Sequence, residues 1–252
     1  MSAAPGARTL SQSVRGAWRL ARVIVHLLHA ALIVVAGFKQ RPTEVRARRV
    51  QWWSAKMLRL LGIGLVAQGT PRPGAKLLVA NHVSWLDIAA INAVAPARFV
   101  SKAEVRHWPL FGWLAGATGT LYIERERPRD ALRVVHQMAA ALQAGDTLAV
   151  FPEGTTSDGH ALLPFHANLL QAAVATGTPV QAVALRFADA ERAISPAAEF
   201  IGETTLAQSL WRVACAQGLS VRVCFLTASS VAHADRRRLA QTLRSQIEAE
   251  LA

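Results

Sequence analysis

From residue 75 onward, short apolar runs alternate with helical patterns, and that alternation leaves few architectures open. Aliphatic and β-branched runs fall at 76–80, 97–101, 120–124, 147–151, 180–186 and 221–226. Between them, apolar residues recur at helical spacing near 85–94, 108–116, 129–144, 167–176 and 205–216, with a last such stretch at about 234–249. Strands joined by helix-length crossovers pair in parallel and carry helices on their faces. The expected fold class is α/β: a mixed, largely parallel central sheet flanked by helices. Functional sites in such sheets sit beyond the carboxyl ends of the strands. No internal repeat or long low-complexity linker interrupts the pattern.

The first 65 residues follow a different rule. Residues 1–14 are small and polar and read as disordered. Leu20 to Phe38 forms an apolar run that as a helix spans roughly 28 Å, close to one hydrocarbon thickness. It is not uniformly apolar, because Arg15, Arg19, Arg22, His26 and His29 line up at spacings of three or four. A plain membrane-spanning helix does not carry such a stripe. A secretory leader fits less well, since the run is long and basic residues follow it. In residues 43–61, Val50, Trp53, Met57, Leu60 and Leu61 share one face, while Arg48, Arg49, Lys56 and Arg59 gather opposite, with Arg46 the exception. That division matches an interfacial helix. Basic residues flank the first helix on both sides, so charge asymmetry assigns no crossing. The expectation is an amphipathic, membrane-embedded helix pair over residues 15–65, dipping into one leaflet, followed by an α/β domain over 66–252.

Charge narrows the partners. Lys and Arg number 28 against 16 Asp and Glu, a formal net charge of +12. Such a balance favours an anionic membrane surface or phosphate-bearing substrates. Nucleic acid is not expected, because the arginines are dispersed and no recognition motif is present. Cys215 and Cys224, the only two cysteines, lack metal spacing and read as core residues in a reducing cytosolic compartment.

Four stretches that each follow a predicted strand carry the candidate chemistry. In "LLVANHVSWLDIAAI", Asn81 and His82 come directly after an apolar run, and Asp87 lies five residues past the histidine. Ser84 and Asp87 also make a capping box, S-x-x-D, which explains Asp87 without catalysis but not Asn81 and His82. Positions five apart sit roughly 140° around a helix axis, so the pair cannot share a helical face. If His82 lies in the turn before the cap, it can fold back so that Asp87 holds one ring nitrogen and the other faces a substrate. In "VFPEGTTSDG", Glu153, Gly154 and Thr155 turn the chain after a strand, and backbone amides in such a turn suit an oxyanion or phosphate. In "GTLYIERERPRD", Arg125, Arg127 and Arg129 crowd a helix start, where cations make sense around a bound anion. In "FVSKAEV", Lys102 follows a strand.

Taken in order, these blocks resemble the glycerolipid acyltransferase family from about Leu77 to Leu185. "NHVSWLD" is similar to the family's NHxxxxD, "GTLYIER" to its second block, "FPEGTTS" to its third and "TPVQAVAL" to its fourth. The resemblance implies that His82 is the general base and Asp87 its orienting carboxylate. It further implies that Asn81, Lys102, Arg125, Glu153, Gly154, Thr155 and Thr156 shape the acceptor and anion sites. The expected function is membrane-associated transfer of a fatty acyl chain to the free hydroxyl of a 1-acylglycerol-3-phosphate-type lysolipid. Acyl-CoA or acyl carrier protein would supply the chain, with no metal or cofactor, at the cytoplasmic face of the inner membrane. Members that form phosphatidic acid usually read FPEGTRS, and Thr156 stands at that arginine position. "FPEGTTSDG" resembles members that acylate lyso-ornithine lipid, which is the alternative acceptor. A thioesterase using the same pair on water and a non-catalytic protein binding anionic membranes are the rival readings.

Overall fold

The computed structural model describes residues 9–123, 128–231 and 234–252. Helices α1 (Leu10–Val35) and α2 (Thr43–Leu61) lead into strand β1 (Gly64–Gln68). Then come β2 (Lys76–Ala80), α3 (Leu86–Val94), β3 (Arg98–Lys102), α4 (Phe111–Ala117), β4 (Leu121–Ile123), α5 (Pro128–Gln143) and β5 (Thr147–Val150). The chain closes with α6 (Gln171–Thr176), β6 (Val180–Ala188), α7 (Leu206–Cys215), β7 (Ser220–Phe225) and α8 (Arg236–Leu251). One sheet joins the described strands in the order β1-β7-β6-β2-β5-β3-β4. Every pairing is parallel except β6 with β7, as the α/β expectation requires.

The sheet has a core on each face, and strand periodicity sorts residues between them. On β2, Leu78 and Ala80 join one core while Leu77 and Val79 join the other. On β5, Ala149 belongs to the first, Leu148 and Val150 to the second. All five residues of β2 are buried, which is why this strand reads as a continuous apolar run. Strand β1 escaped the sequence reading for the opposite reason. It is an edge strand whose residues are mostly exposed, so no alternation marks it, and parallel pairing with β7 alone defines it.

The helix pair is not a unit apart, and the boundary expected near residue 65 is not a structural one. Val23 and Leu27 of α1 and Met57, Leu58 and Leu61 of α2 lie in the same core as Leu78, Ile91 and Val223. Residues 10–14, expected to be disordered, are helical. Thr9 and Gln12 form a capping box whose side chains satisfy each other's backbone N–H groups, and that box is what starts α1. The apolar face of α2 is also not interfacial. It packs on α3, and Trp53 turns inward to stack on His26, with ring centroids 4.8 Å apart. Trp52 remains outside, with the Lys56 ammonium 4.8 Å from its ring centroid.

The polar stripe on α1 now has a physical account. Arg19 donates to the carbonyls of Ala214 and Ala216 at 3.1 and 2.6 Å, and Arg15 reaches Gln217. The Arg19 bonds satisfy orphan carbonyls at the negative end of α7. Farther along, His26 Nε2 lies 3.0 Å from the Trp53 carbonyl of α2. The stripe therefore fastens α1 to the α/β body. On the opposite side Val14, Trp18, Val25, Leu28, Leu32 and Val35 form an exposed apolar face. Among the described residues α1 is the one helix long and apolar enough to cross a membrane.

Arg19→Ala removes two charge-assisted bonds to buried-end carbonyls, each worth ~1.5–3 kcal/mol at most. The variant is expected to melt several degrees lower and to be cut faster by trypsin within α1. Unchanged melting and proteolysis would show that apolar packing alone holds the helix.

Candidate active site

The site is assembled where β2, β5 and β6 end side by side. Asn81, the first residue beyond β2, is buried. Its Nδ2 donates to the Leu185 carbonyl at 2.9 Å, and its Oδ1 accepts from the Leu185 N–H at 2.8 Å. An amide side chain thus extends the ladder by one more pair after the backbone has turned away. This corrects its expected place among the substrate-binding residues: both its polar groups are engaged with β6.

The turn that follows holds His82 by its main chain as well as by its ring. The His82 N–H donates to Glu153 Oε1 at 2.7 Å, and its carbonyl accepts from the Ser157 N–H at 2.8 Å. The imidazole stacks on Phe151, with centroids 4.0 Å apart and planes 10° from parallel. Its Nδ1 lies 2.7 Å from Asp87 Oδ2, where the two side chains are 20% and 0% exposed. The same Oδ2 accepts the N–H groups of Val83 and Ser84 at 2.8 and 2.9 Å. An oxygen that accepts from two backbone amides acts as acceptor toward the ring too, so Nδ1 carries the proton and donates. Nε2 is left with its lone pair, and it makes no hydrogen bond among the described residues.

The capping-box reading of Ser84 and Asp87 is half right. The Asp87 carboxylate does accept the Ser84 N–H. The Ser84 hydroxyl, however, is buried without a partner among the described residues, and Trp85 stands at the N-cap with no side-chain bond to the helix start, its indole N–H donating instead to the Ser209 hydroxyl. Asp87 is therefore not spent as half of a reciprocal cap, and its oxygen organises the turn and the ring together.

Glu153 was expected to touch substrate, and its geometry says otherwise. It is buried, with Oε1 taken by His82 and Oε2 accepting the Leu163 N–H at 2.9 Å. It ties the turn after β5 to the turn after β2. Burial raises its pKa above the ordinary carboxylate range, against the opposing pull of those two N–H bonds and of His82. Gly154 takes φ 76°, a left-handed conformation that favours glycine. Thr155 is exposed. The backbone N–H groups of Thr155 and Thr156 are unpaired among the described residues, so this turn retains free donors. The Thr156 hydroxyl does not face outward as an acceptor contact, because it donates to the Phe200 carbonyl. Phe200 in turn donates its N–H to Val83 at 3.2 Å, so the segment before α7 closes over the turn. Lys102 is exposed at the end of β3 and makes no side-chain bond among the described residues. Arg125 and Arg127 lie outside the described residues. Phe151, Ser157, Leu185 and Phe200 were missed by sequence reasoning: the last three act through backbone groups, which leave no signature in residue type, while the Phe151–His82 stack could have been sought in the "VFPEG" block.

Beside this turn lies an apolar cavity of about 180 Å3, walled by Ala30 and Val34 of α1, Trp53 and Met57 of α2, Ile88 of α3 and Leu114 of α4. Phe99 is also in its wall and lies 5.8 Å from Phe151, centroid to centroid. The Phe151 ring therefore separates the Phe99 wall of the cavity from the His82 ring.

The site thus holds a histidine oriented by a buried carboxylate, and comparison with known proteins gives the chain its family. Residues 67–186 match the Acyltransferase family model. The chain is 37% identical over 209 residues to the lyso-ornithine lipid O-acyltransferase of Pseudomonas aeruginosa, covering 83% of this chain and 80% of that protein. It is 38% identical over 214 residues to the 1-acyl-sn-glycerol-3-phosphate acyltransferase of Neisseria meningitidis, covering 83% of each. This chain belongs to the acyltransferase family. The crystal structure of the 1-acyl-sn-glycerophosphate acyltransferase of Thermotoga maritima has the same fold, with a TM-score of 0.72 over 96% of both chains at 19% identity.

Glu153→Gln sets an amide NH2 against one of two backbone N–H donors. The acyltransferase is expected to lose stability and turnover together, in the range of about 1–3 kcal/mol for an unsatisfied buried group. The pH dependence has a sign. A raised native pKa means the folded state holds the proton more tightly than the unfolded chain. The carboxyl's contribution to stability therefore falls as pH rises from the ordinary value of about 4.3 through the native one. The melting difference between wild type and variant should shrink over that window, and a difference that widens with pH would contradict the assignment.

Proposed function

We propose that this chain transfers a fatty acyl group from a thioester to the free hydroxyl of a lysolipid at a membrane surface. The observation that carries the reading is the 2.7 Å contact between His82 Nδ1 and Asp87, which leaves Nε2 as the only ring nitrogen able to accept a proton. Nε2 takes the proton of the acceptor hydroxyl as that oxygen attacks the thioester carbonyl. Asp87 stabilises the imidazolium that forms. The oxyanion is received by the N–H groups of Thr155 and Thr156. When the tetrahedral species collapses, the C–S bond breaks and the leaving thiolate takes the proton back from Nε2. The products are an ester and a free thiol, and no acyl-enzyme is formed. The acyl chain occupies the apolar cavity behind Phe99.

The acceptor is a lysolipid of the 1-acylglycerol-3-phosphate type. A second reading, a lyso-ornithine lipid acceptor, is favoured by Thr156, which places no cation where the family's phosphatidic-acid-forming members usually carry arginine. Relatives of both names support the common class. Acyl-CoA or acyl carrier protein delivers the chain. The protein sits on the cytoplasmic face of the inner membrane. Because α1 is fastened to α7 and α2 along its length, it lies in one leaflet with its exposed apolar face toward lipid rather than crossing as a free span.

His82→Ala should lower acyl transfer by ~10²–10⁴-fold, and Asp87→Asn should lower it comparably. Circular dichroism and sedimentation with anionic vesicles should both match wild type. A His82→Ala enzyme with wild-type turnover would end the general-base assignment, and thiol release that needs no lysolipid would point to the thioesterase instead. Wild-type protein left in the supernatant would contradict the membrane reading.

A further inference from the structure

A second pocket lies outside the site described above, at the β4 edge of the sheet, with a volume of about 610 Å3. That is within the roughly 300–1,000 Å3 of small-molecule sites. Three cations from three separate elements line it: Lys39 from the α1–α2 connection, Arg106 from the β3–α4 connection, and Arg133 of α5. Among the described residues no carboxylate lines it. Arg133 has Asp130 at 3.2 Å as a partner, but the side chains of Lys39 and Arg106 make no hydrogen bond or ion pair among the described residues. Like charges gathered in a concave site repel one another where, as for Lys39 and Arg106, they have no counterion among the described residues, and an anion relieves that repulsion.

One wall of the pocket gives independent evidence for a ligand. Gly116 lies inside α4 and faces it. A glycine in a helix interior weakens the helix, so it calls for a reason. Packing supplies none, since a Cβ placed there would meet only the Tyr122 hydroxyl, at 3.8 Å. The neighbouring glycine differs, because at Gly112 a Cβ would strike the Arg106 carbonyl at 2.2 Å. Gly116 is thus bare toward the pocket although a side chain would fit there. Beside it Trp113 is 46% exposed and offers a flat apolar wall.

The pocket is also placed to serve the reaction. Helix α4 divides it from the apolar cavity, with Leu114 and Ala115 facing the cavity and Trp113 and Gly116 facing the pocket, and Thr120 lines both. In the sheet, β4 is three strand steps from β2, or about 14 Å. A thioester held at His82 carries its pantetheine arm over a distance of that order before its first phosphate.

We propose that Lys39, Arg106 and Arg133 bind the phosphate end of the acyl donor, the phosphate of a phosphopantetheine thioester. The inference rests on the acyl-transfer reading and adds where the donor is held. Coenzyme A and acyl carrier protein both present this phosphate, and coenzyme A adds a nucleotide that Trp113 can stack upon.

The test compares palmitoyl-CoA, palmitoyl–acyl carrier protein and phosphate-free palmitoyl-pantetheine with one lysolipid acceptor. Arg106→Ala and Gly116→Leu should raise KM for a phosphate-bearing donor about tenfold or more, leaving kcat and the KM for palmitoyl-pantetheine unchanged. Whichever phosphate-bearing donor responds is the source. The proposal is overturned if the KM values for all three move together or none moves, or if the variants lose only binding to anionic vesicles. Titration calorimetry with 4'-phosphopantetheine and with adenosine 3',5'-bisphosphate separates this from failure of the acyl-transfer reading. Binding of either that Arg106→Ala abolishes supports the pocket even if no donor turns over, and no binding together with no donor-specific KM change removes it.

Discussion

A single carboxylate oxygen, Asp87 Oδ2, receives three donors: the His82 ring and the N–H groups of Val83 and Ser84. Buried away from water, it has nothing else to exchange these contacts for, so the ring, the turn and the start of α3 hold one another in place. The lone pair of Nε2 is thereby fixed in direction, and every functional statement about the site depends on that direction. The arrangement follows the general logic of a base held by an orienting acid, here without a nucleophilic side chain. What such a device can do is remove a proton from an incoming hydroxyl.

The surrounding chain keeps this turn from relaxing. Asn81 extends the β2–β6 ladder past the end of the strand, Glu153 holds the His82 N–H and Ser157 holds its carbonyl. His82 is thus gripped from three neighbouring strand ends. The same sheet separates its two cores by alternation, and the core on the α1–α4 side leaves an apolar cavity whose Phe99 wall is separated from the His82 ring by Phe151. In the proposed reaction, binding of a long acyl chain and activation of an alcohol meet at one strand terminus.

Much of this was legible in the residues and some was not. Strands β2, β3, β5, β6 and β7 announce themselves because they are buried on one or both faces. Strand β1 does not, because an exposed edge leaves no periodic trace. His82 and Asp87 could be paired only by placing the histidine in a turn, and the structure does place it there. Glu153, Asn81 and Thr156 were assigned to the acceptor on motif resemblance, yet their polar atoms are turned to backbone groups. A motif records that a residue type is needed and does not say whether its partner is a ligand or the fold. The arginines on α1 show the same ambiguity. They looked like a sign of the membrane interface, and in the structure Arg15 and Arg19 attach the helix to the end of α7.

The most direct test of the account is the tautomer of His82, read by nitrogen NMR on protein with 15N-labelled histidine and assigned with a His82→Gln variant. The neutral ring should carry its proton on Nδ1 and show an unprotonated Nε2. A ring protonated on Nε2, with Nδ1 bare, would contradict the pairing with Asp87 and remove the base from which the proposed chemistry starts.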